Sequence, residues 1–167
     1  MIVRIQDIKQ LLAKARTEPG TVFPEIKILA TSEQWQTREV AATALVRIGK
    51  RHAAAVLRQA RLWAKDKDSN VRRVASEGLR GIVKLDPESV LPVIEILRAD
   101  SELYVKKSVA NVLRNASGRH ADFVLDVCRQ WARSRSPNTR WIVKDGLRKL
   151  KTSRPREVAA ILAVVAA

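Results

Sequence analysis

Four segments of the 167-residue chain can be laid on one another at a single spacing, and that spacing limits the fold more than any other feature. They are QTREVAATALV (Gln36 to Val46), NVRRVASEGLR (Asn70 to Arg80), YVKKSVANVLR (Tyr104 to Arg114) and NTRWIVKDGLR (Asn138 to Arg148). Their shared leucines, Leu45, Leu79, Leu113 and Leu147, follow one another at one constant interval. A fixed period of roughly 20–50 residues marks stacked supersecondary units, none of which can bury its apolar face alone. Within a segment the apolar residues recur at helical spacing, as in Val71, Val74, Ala75, Gly78, Leu79 and Ile82. The period therefore predicts a single all-α domain, a right-handed α-solenoid (superhelix) of about five helical hairpins.

The units fall at approximately 2–30, 31–67, 68–100, 101–135 and 136–167. The first is weaker, because one period before Leu45 and Arg38 lie only Leu11 and Arg4. It predicts helices over Val3 to Arg16 and Pro24 to Ala30, separated by the breakers Pro19 and Gly20. Thr31 to Gln34 supply an N-cap signal for a helix running to about Lys50, with Val40, Ala41, Ala44, Leu45 and Ile48 facing the core, and a partner helix spans Ala53 to Ala64. Asp86 followed by Pro87 opens a helix to Arg98, and the next pair spans Val105 to Ala116 and Ala121 to Ser134. Ser136 and Pro137 start a helix to about Lys151, and Pro155 to Ala167 closes the chain. Its last nine residues, AAILAVVAA, are uncharged. They either pack on the preceding unit or are covered by a protein partner.

Apolar residues make up 46% of the chain but aromatics only 4%, so the core must be aliphatic and rich in alanine. The formal charge is +15, spread through every unit. A folded surface this positive calls for a polyanion, and nucleic acid is the leading class. An anionic membrane surface is the rival; no stretch reaches the roughly 18 apolar residues that could span a bilayer. The N-terminus carries no apolar run suited to a signal peptide. One cysteine, Cys128, excludes an internal disulfide and fits a reducing cytoplasm. With two distant histidines, His52 and His120, there is no metal-ligand spacing, and neither metal nor cofactor is expected.

The overlay separates core columns from columns free to act. Two residues before the leucines stand Thr43, Glu77, Asn111 and Asp145; just after them, Val46, Arg80, Arg114 and Arg148; six before them, Glu39, Arg73, Lys107 and Trp141. These offsets form one solvent-facing stripe on a helix. Stacking lays the stripes side by side as a ribbon of Arg73, Arg80, Lys107, Arg114 and Arg148, joined by Lys84, with Glu39, Glu77 and Asp145 among them. Six phosphate contacts there would cost roughly 10³-fold in affinity between 50 and 200 mM salt. Glu77 is flanked by Arg73 and Arg80, which should keep it ionised, or which it merely balances as helix-surface pairs. The column Arg4, Arg38, Arg72, Lys106 and Arg140 is better read as ties between turns. Trp63, Trp131 and Cys128 fall in apolar columns, and the histidines sit where second helices begin, as caps.

The pattern xVRxxAxxxLxxI resembles HEAT repeats. Taken together, QWQTREVAATAL, NVRRVASEGLR, YVKKSVANVLRNAS and NTRWIVKDGLRKL are similar to the DNA alkylation repair family of HEAT-like DNA glycosylases, nearer its AlkC-like than its AlkD-like branch. The likeness covers about Glu33 to Lys151. It implies that the first helices line a concave surface for duplex DNA, and that the substrate carries a cationic N-alkylated base of the 3-methyladenine type. It also implies catalytic carboxylates, which by motif fall on Glu77 and Glu39, for stabilising an oxocarbenium-like sugar and positioning water. DNA contacts would come from Arg73, Arg80, Lys84, Lys107, Arg114 and Arg148, with Asp145 beside them and Trp35 and Trp141 free to stack on a base or sugar. The protein would act as a monomer in a bacterial or archaeal cytoplasm, at the nucleoid. Two departures bear on catalysis: the chain looks short at both ends for an active member, and Thr37 stands where the motif is apolar. The alternatives are a DNA-binding protein without catalysis and a scaffold for an acidic protein.

Overall fold

The computed structural model describes residues 8–167. The start of the first predicted helix and Arg4 lie outside them. Helices α1 (Ile8–Ala15) and α2 (Phe23–Ala30) are followed by α3 (Trp35–Gly49), α4 (Ala53–Trp63), α5 (Ser69–Glu77), α6 (Leu91–Leu97), α7 (Leu103–Ala116), α8 (Ala121–Ala132), α9 (Pro137–Gly146), α10 (Leu150–Ser153) and α11 (Pro155–Ala166). No strand occurs among the described residues.

The helices form two layers. α3 packs on α5, α5 on α7 and α7 on α9, while α4 packs on α6 and α8 on α11 behind them. The repeated leucines Leu45, Leu79, Leu113 and Leu147 are completely buried between the layers. Glycines bring the first helices together: an added Cβ at Gly78 would meet Leu45, and one at Gly146 would meet Leu113. The helices α3, α5, α7 and α9 pack on one another more closely than those behind them, and in a curved solenoid the more closely packed layer is the concave one.

In the basic column Arg72 and Lys106 tie neighbouring turns, as its position suggests, whereas Arg38 and Arg140 hold only the turn before their own helix. Arg38 donates to the carbonyls of Ser32 and Glu33, Arg140 to that of Ser134, and Lys106 to the side chain of Asn138. Arg72 does most: it donates to the carbonyls of Asp66 and Lys67 and grips the Asp100 carboxylate at 2.6 Å, spanning two turns. Trp63 is buried edge-on against Phe23, and Trp131 is buried with its indole N–H donating to Glu95 at 2.7 Å. Cys128 is buried among aliphatic side chains, and burial pushes its thiol up to about 12. The apolar end of the chain packs through Val158, Ile161 and Val165 onto α8.

Several boundaries differ from the periodicity. The α3 helix begins at Trp35 without a side-chain cap, because Ser32 accepts the N–H of Gln34 and closes a turn one step too early. After Glu77 the chain leaves α-helix for two 3₁₀ turns, Gly78–Arg80 and Ile82–Lys84. The helix predicted from Pro87 starts as a 3₁₀ turn, Glu88–Val90, and α9 ends at Gly146 instead of running to Lys151. His52 and His120 stand at N-cap positions but do not cap. Each Nε2 lies 3.1 Å from a carbonyl of the preceding helical pair, that of Arg16 or Lys84, so they tie neighbours together.

Candidate nucleic-acid interface

On the concave layer, α3 supplies Glu39, α5 supplies Arg73 and Glu77, and the 3₁₀ turn after α5 supplies Arg80. Arg73 reaches back to Glu39 at 3.2 Å. Arg80 bridges two carboxylates, that of Glu77 at 3.1 Å and, more loosely, that of Glu39 at 3.9 Å. Two carboxylates and two guanidiniums thus share one patch on neighbouring helices.

This corrects the expectation for Glu77. Helical spacing puts it on the solvent-facing stripe with Arg73 four residues before it, yet its side chain is only 11% exposed and Arg73 pairs with Glu39 instead. Nor do the arginines bring its pKa below the ordinary value. Burial raises its pKa, outweighing the attraction of Arg80 and Arg73, with Glu39 adding in the same direction. Glu39, with a side chain 36% exposed, is the more accessible carboxylate.

A third carboxylate stands two units along from Glu77. Asp145 of α9 pairs with Arg114 from α7 and with Arg148 at 3.1 Å. Four of the ribbon cations, Arg73, Arg80, Arg114 and Arg148, are therefore matched by carboxylates of the chain itself, which the overlay could not show. Lys107 lies 5.4 Å from the ring of Tyr104. Trp141 is half-buried beneath Lys106, 5.6 Å from its ammonium, so one face of its ring is already covered by a cation. Trp35 is exposed at the first turn of α3, one turn before Glu39. Thr37 is buried with its hydroxyl unpartnered, so its site is apolar even though the residue is not.

Beside this patch lie further cations, among them Lys50, Lys84, Arg119 and Lys149, that are in no ion pair among the described residues. A cleft of about 820 Å³ opens between the C-terminal ends of α3 and α7, lined by Lys50, Arg80, Lys84 and Arg119 together with Gly81 and Asn115. A second, of about 500 Å³, continues from Lys84 past Arg114 to Lys149. No acidic side chain among the described residues lines either. Lys50, Arg119 and Lys149 were missed in the sequence, although Lys50 and Lys84 are one period apart and share a column. Tyr104 was missed as well; it is exposed, with Arg73 and Lys107 on its ring. Among the described residues no group of three His, Cys, Asp or Glu side chains could hold a metal ion. No helix among them is long and apolar enough to cross a membrane.

A family model described as DNA alkylation repair enzyme matches residues 26–150, most of the chain. The chain belongs to the DNA alkylation repair enzyme family. Over 145 residues it is 34% identical to the uncharacterized protein YhaZ of Bacillus subtilis (strain 168), covering 81% of this chain and 40% of that relative. Its fold is similar to that of the Pseudomonas fluorescens alkylpurine DNA glycosylase AlkC bound to DNA containing an abasic site analog. There the TM-score is 0.76 at 25% identity, over 95% of this chain and 44% of that one. AlkD2 from Streptococcus mutans gives 0.69 at 25% identity, over 82% and 69%. The chain thus spans less than half the length of YhaZ and of AlkC. Glu39, Glu77 and Asp145 all fall within the stretch that matches the DNA alkylation repair enzyme family.

Proposed function

We propose that the chain binds duplex DNA across its concave layer and hydrolyses the N-glycosidic bond of a cationic N-alkylated base. The observation that carries this is the Glu39–Arg80–Glu77 arrangement beside an acid-free basic cleft. The cleft takes phosphates, and the carboxylate patch takes the sugar. Locally two carboxylates offset two guanidiniums, so a developing oxocarbenium is not repelled by the groove that holds the strand.

Alkylation has already made the base a leaving group. As the C1′–N bond breaks, its electron pair goes to the base, which departs neutral. Water adds to C1′ and yields its proton to a carboxylate. Glu77 suits that role because burial raises its proton affinity above that of an ordinary carboxylate. Glu39, more exposed and one helix away, is placed to face the positive sugar. Trp35, exposed one turn before Glu39, flanks the patch as a surface for stacking.

The test is release of methylated base from DNA treated with a methylating agent. Wild type should release base, and Glu77→Gln and Glu39→Gln should each lose roughly 100-fold or more. Release that both variants retain would remove these residues from the chemistry. A second reading, DNA binding without catalysis, is favoured by one observation, the burial of Glu77, whose side chain is only 11% exposed. Salt-sensitive binding with no release at all would select it.

A further inference from the structure

On the opposite face of the molecule the second helices carry a repeated apolar position that the core does not use. Ile28 of α2, Leu62 of α4, Ile96 of α6 and Val164 of α11 occupy one column at the repeat period, or a multiple of it. They are 71%, 68%, 36% and 44% exposed. Only α8 departs, with Gln130 in this position. There a cleft of about 220 Å³ opens between α8 and α11, floored by Ala132, Ala160, Ile161 and Val164 and rimmed by Arg129 and Arg133. Single exposed apolar residues need no explanation, but a line of them at one repeat position does.

The charges around the stripe indicate what would cover it. Of the acidic residues nearby, three are already matched, in Lys27–Asp66, Arg98–Glu95 and Arg129–Asp126 pairs, and Glu25, beside Ile28 at one end of the stripe, is the exception, unpaired among the described residues. Arg58, Arg61, Lys65 and Arg133 form no ion pair among the described residues. The stripe is therefore apolar at its centre with unmatched positive charge along it. Its spacing is informative too. Neighbouring packed helices lie about 8–10 Å apart, and seven residues of an α-helix advance about 10.5 Å. An α-helix laid along the stripe would bring an apolar side chain to each second helix in turn by repeating it every seventh position.

We infer that the convex stripe Ile28–Leu62–Ile96–Val164 is a docking surface for an acidic amphipathic helix of a partner protein, whose carboxylates meet Arg58, Arg61, Lys65 and Arg133 and one of whose aliphatic side chains fills the cleft between α8 and α11. A lipid surface fits less well: the stripe is one side chain wide and lies on a face that curves away from a plane. The inference does not depend on the proposed enzymatic activity, since it concerns the other layer.

The probe is a fluorescent synthetic helical peptide with leucine at every seventh position flanked by glutamates, followed by anisotropy. Counterparts carry glutamine or lysine in place of glutamate. The acidic peptide should bind, and Leu62→Ser with Ile96→Ser should weaken it about tenfold or more. Arg58→Glu with Arg61→Glu should weaken it comparably. These positions are exposed, so melting curves should stay unchanged. Saturating duplex DNA should leave peptide affinity within about twofold, since the two ligands use opposite faces. Displacement by DNA, equal binding of the glutamine peptide, or full binding by the Leu62/Ile96 variant would each overturn the inference. So would uptake by phosphatidylglycerol vesicles through Leu62 and Ile96 without peptide binding. If the protein fails to bind DNA at all, the stripe variants alone decide.

Discussion

At Gly78 an added Cβ would stand 2.9 Å from both Cβ and Cδ1 of Leu45, and at Gly146 one would stand 2.8 Å from Cδ1 of Leu113. No described residue has a positive φ, so these glycines are needed for space and not for backbone freedom. Gly78→Ala and Gly146→Ala should each lower stability by about 1–3 kcal/mol in urea titrations, whereas Gly20→Ala and Gly118→Ala, with nothing near, should change it by less than about 0.5 kcal/mol. Glu77 gives a prediction of different sign. Its folded pKa lies above the ordinary value of 4.5 because burial outweighs the arginines. The folded state therefore holds the proton more tightly than the unfolded chain, and the contribution of Glu77 to stability is lost as pH rises from about 4.5 through the raised value. Glu77→Gln removes that loss, so its melting temperature should rise relative to wild type between pH 4 and pH 8. A relative fall over that range would mean that Arg80, not burial, dominates. The sequence shows both glycines and Glu77 in their columns, but not which leucine meets which helix. Nor does it show that Arg73 turns to the carboxylate one unit back, Glu39, instead of the one a helical turn ahead.

Among the elements, periodicity located the helical pairs well because each must bury the same apolar face against its neighbours. It located their ends less well, since ends depend on local hydrogen bonds. Asp68 accepts the N–H groups of Asn70 at 2.7 Å and Val71 at 3.4 Å and so caps α5, and Ser136 accepts that of Thr139 at 3.3 Å and caps α9. Glu102, at the start of α7, makes no such bond. Asp68→Ala should therefore cost about 1 kcal/mol, Ser136→Ala somewhat less and Glu102→Ala close to nothing, measured by denaturant midpoint. The break after α5 was hidden for a related reason. Gly78 extends the apolar pattern as if the helix continued, while the close approach to Leu45 accompanies a tighter 3₁₀ path. That break sets the direction in which Arg80 leaves the chain, and so which carboxylates it can bridge. The carboxylate patch was legible as residues but not as a pairing.

For the molecule as a whole, the +15 charge names a polyanion without saying where it lies. If duplex DNA is the ligand, two surfaces compete for its phosphates. The arginine ribbon has the right period, but Arg73, Arg80, Arg114 and Arg148 would have to leave internal carboxylates to bind, which discounts each contact. The cleft cations Lys50, Lys84, Arg119 and Lys149, and Lys107 nearby, are in no ion pair among the described residues. Five such contacts give a slope of log affinity against log salt near −4.5, a loss of roughly 500-fold between 50 and 200 mM. Anisotropy with a labelled duplex across a salt series separates the two. Lys84→Gln and Lys149→Gln should each bring the slope about 0.9 closer to zero, since each removes one phosphate contact and its released counterion. Arg114→Gln and Arg148→Gln should weaken binding with a smaller change in slope, because arginines held by Asp145 neutralise phosphates less fully and so displace fewer of the cations condensed on the DNA. A slope left intact by the lysine variants and reduced by the arginine variants would move the strand from the cleft to the ribbon. It would then run directly over Glu77, which is nearly closed to solvent.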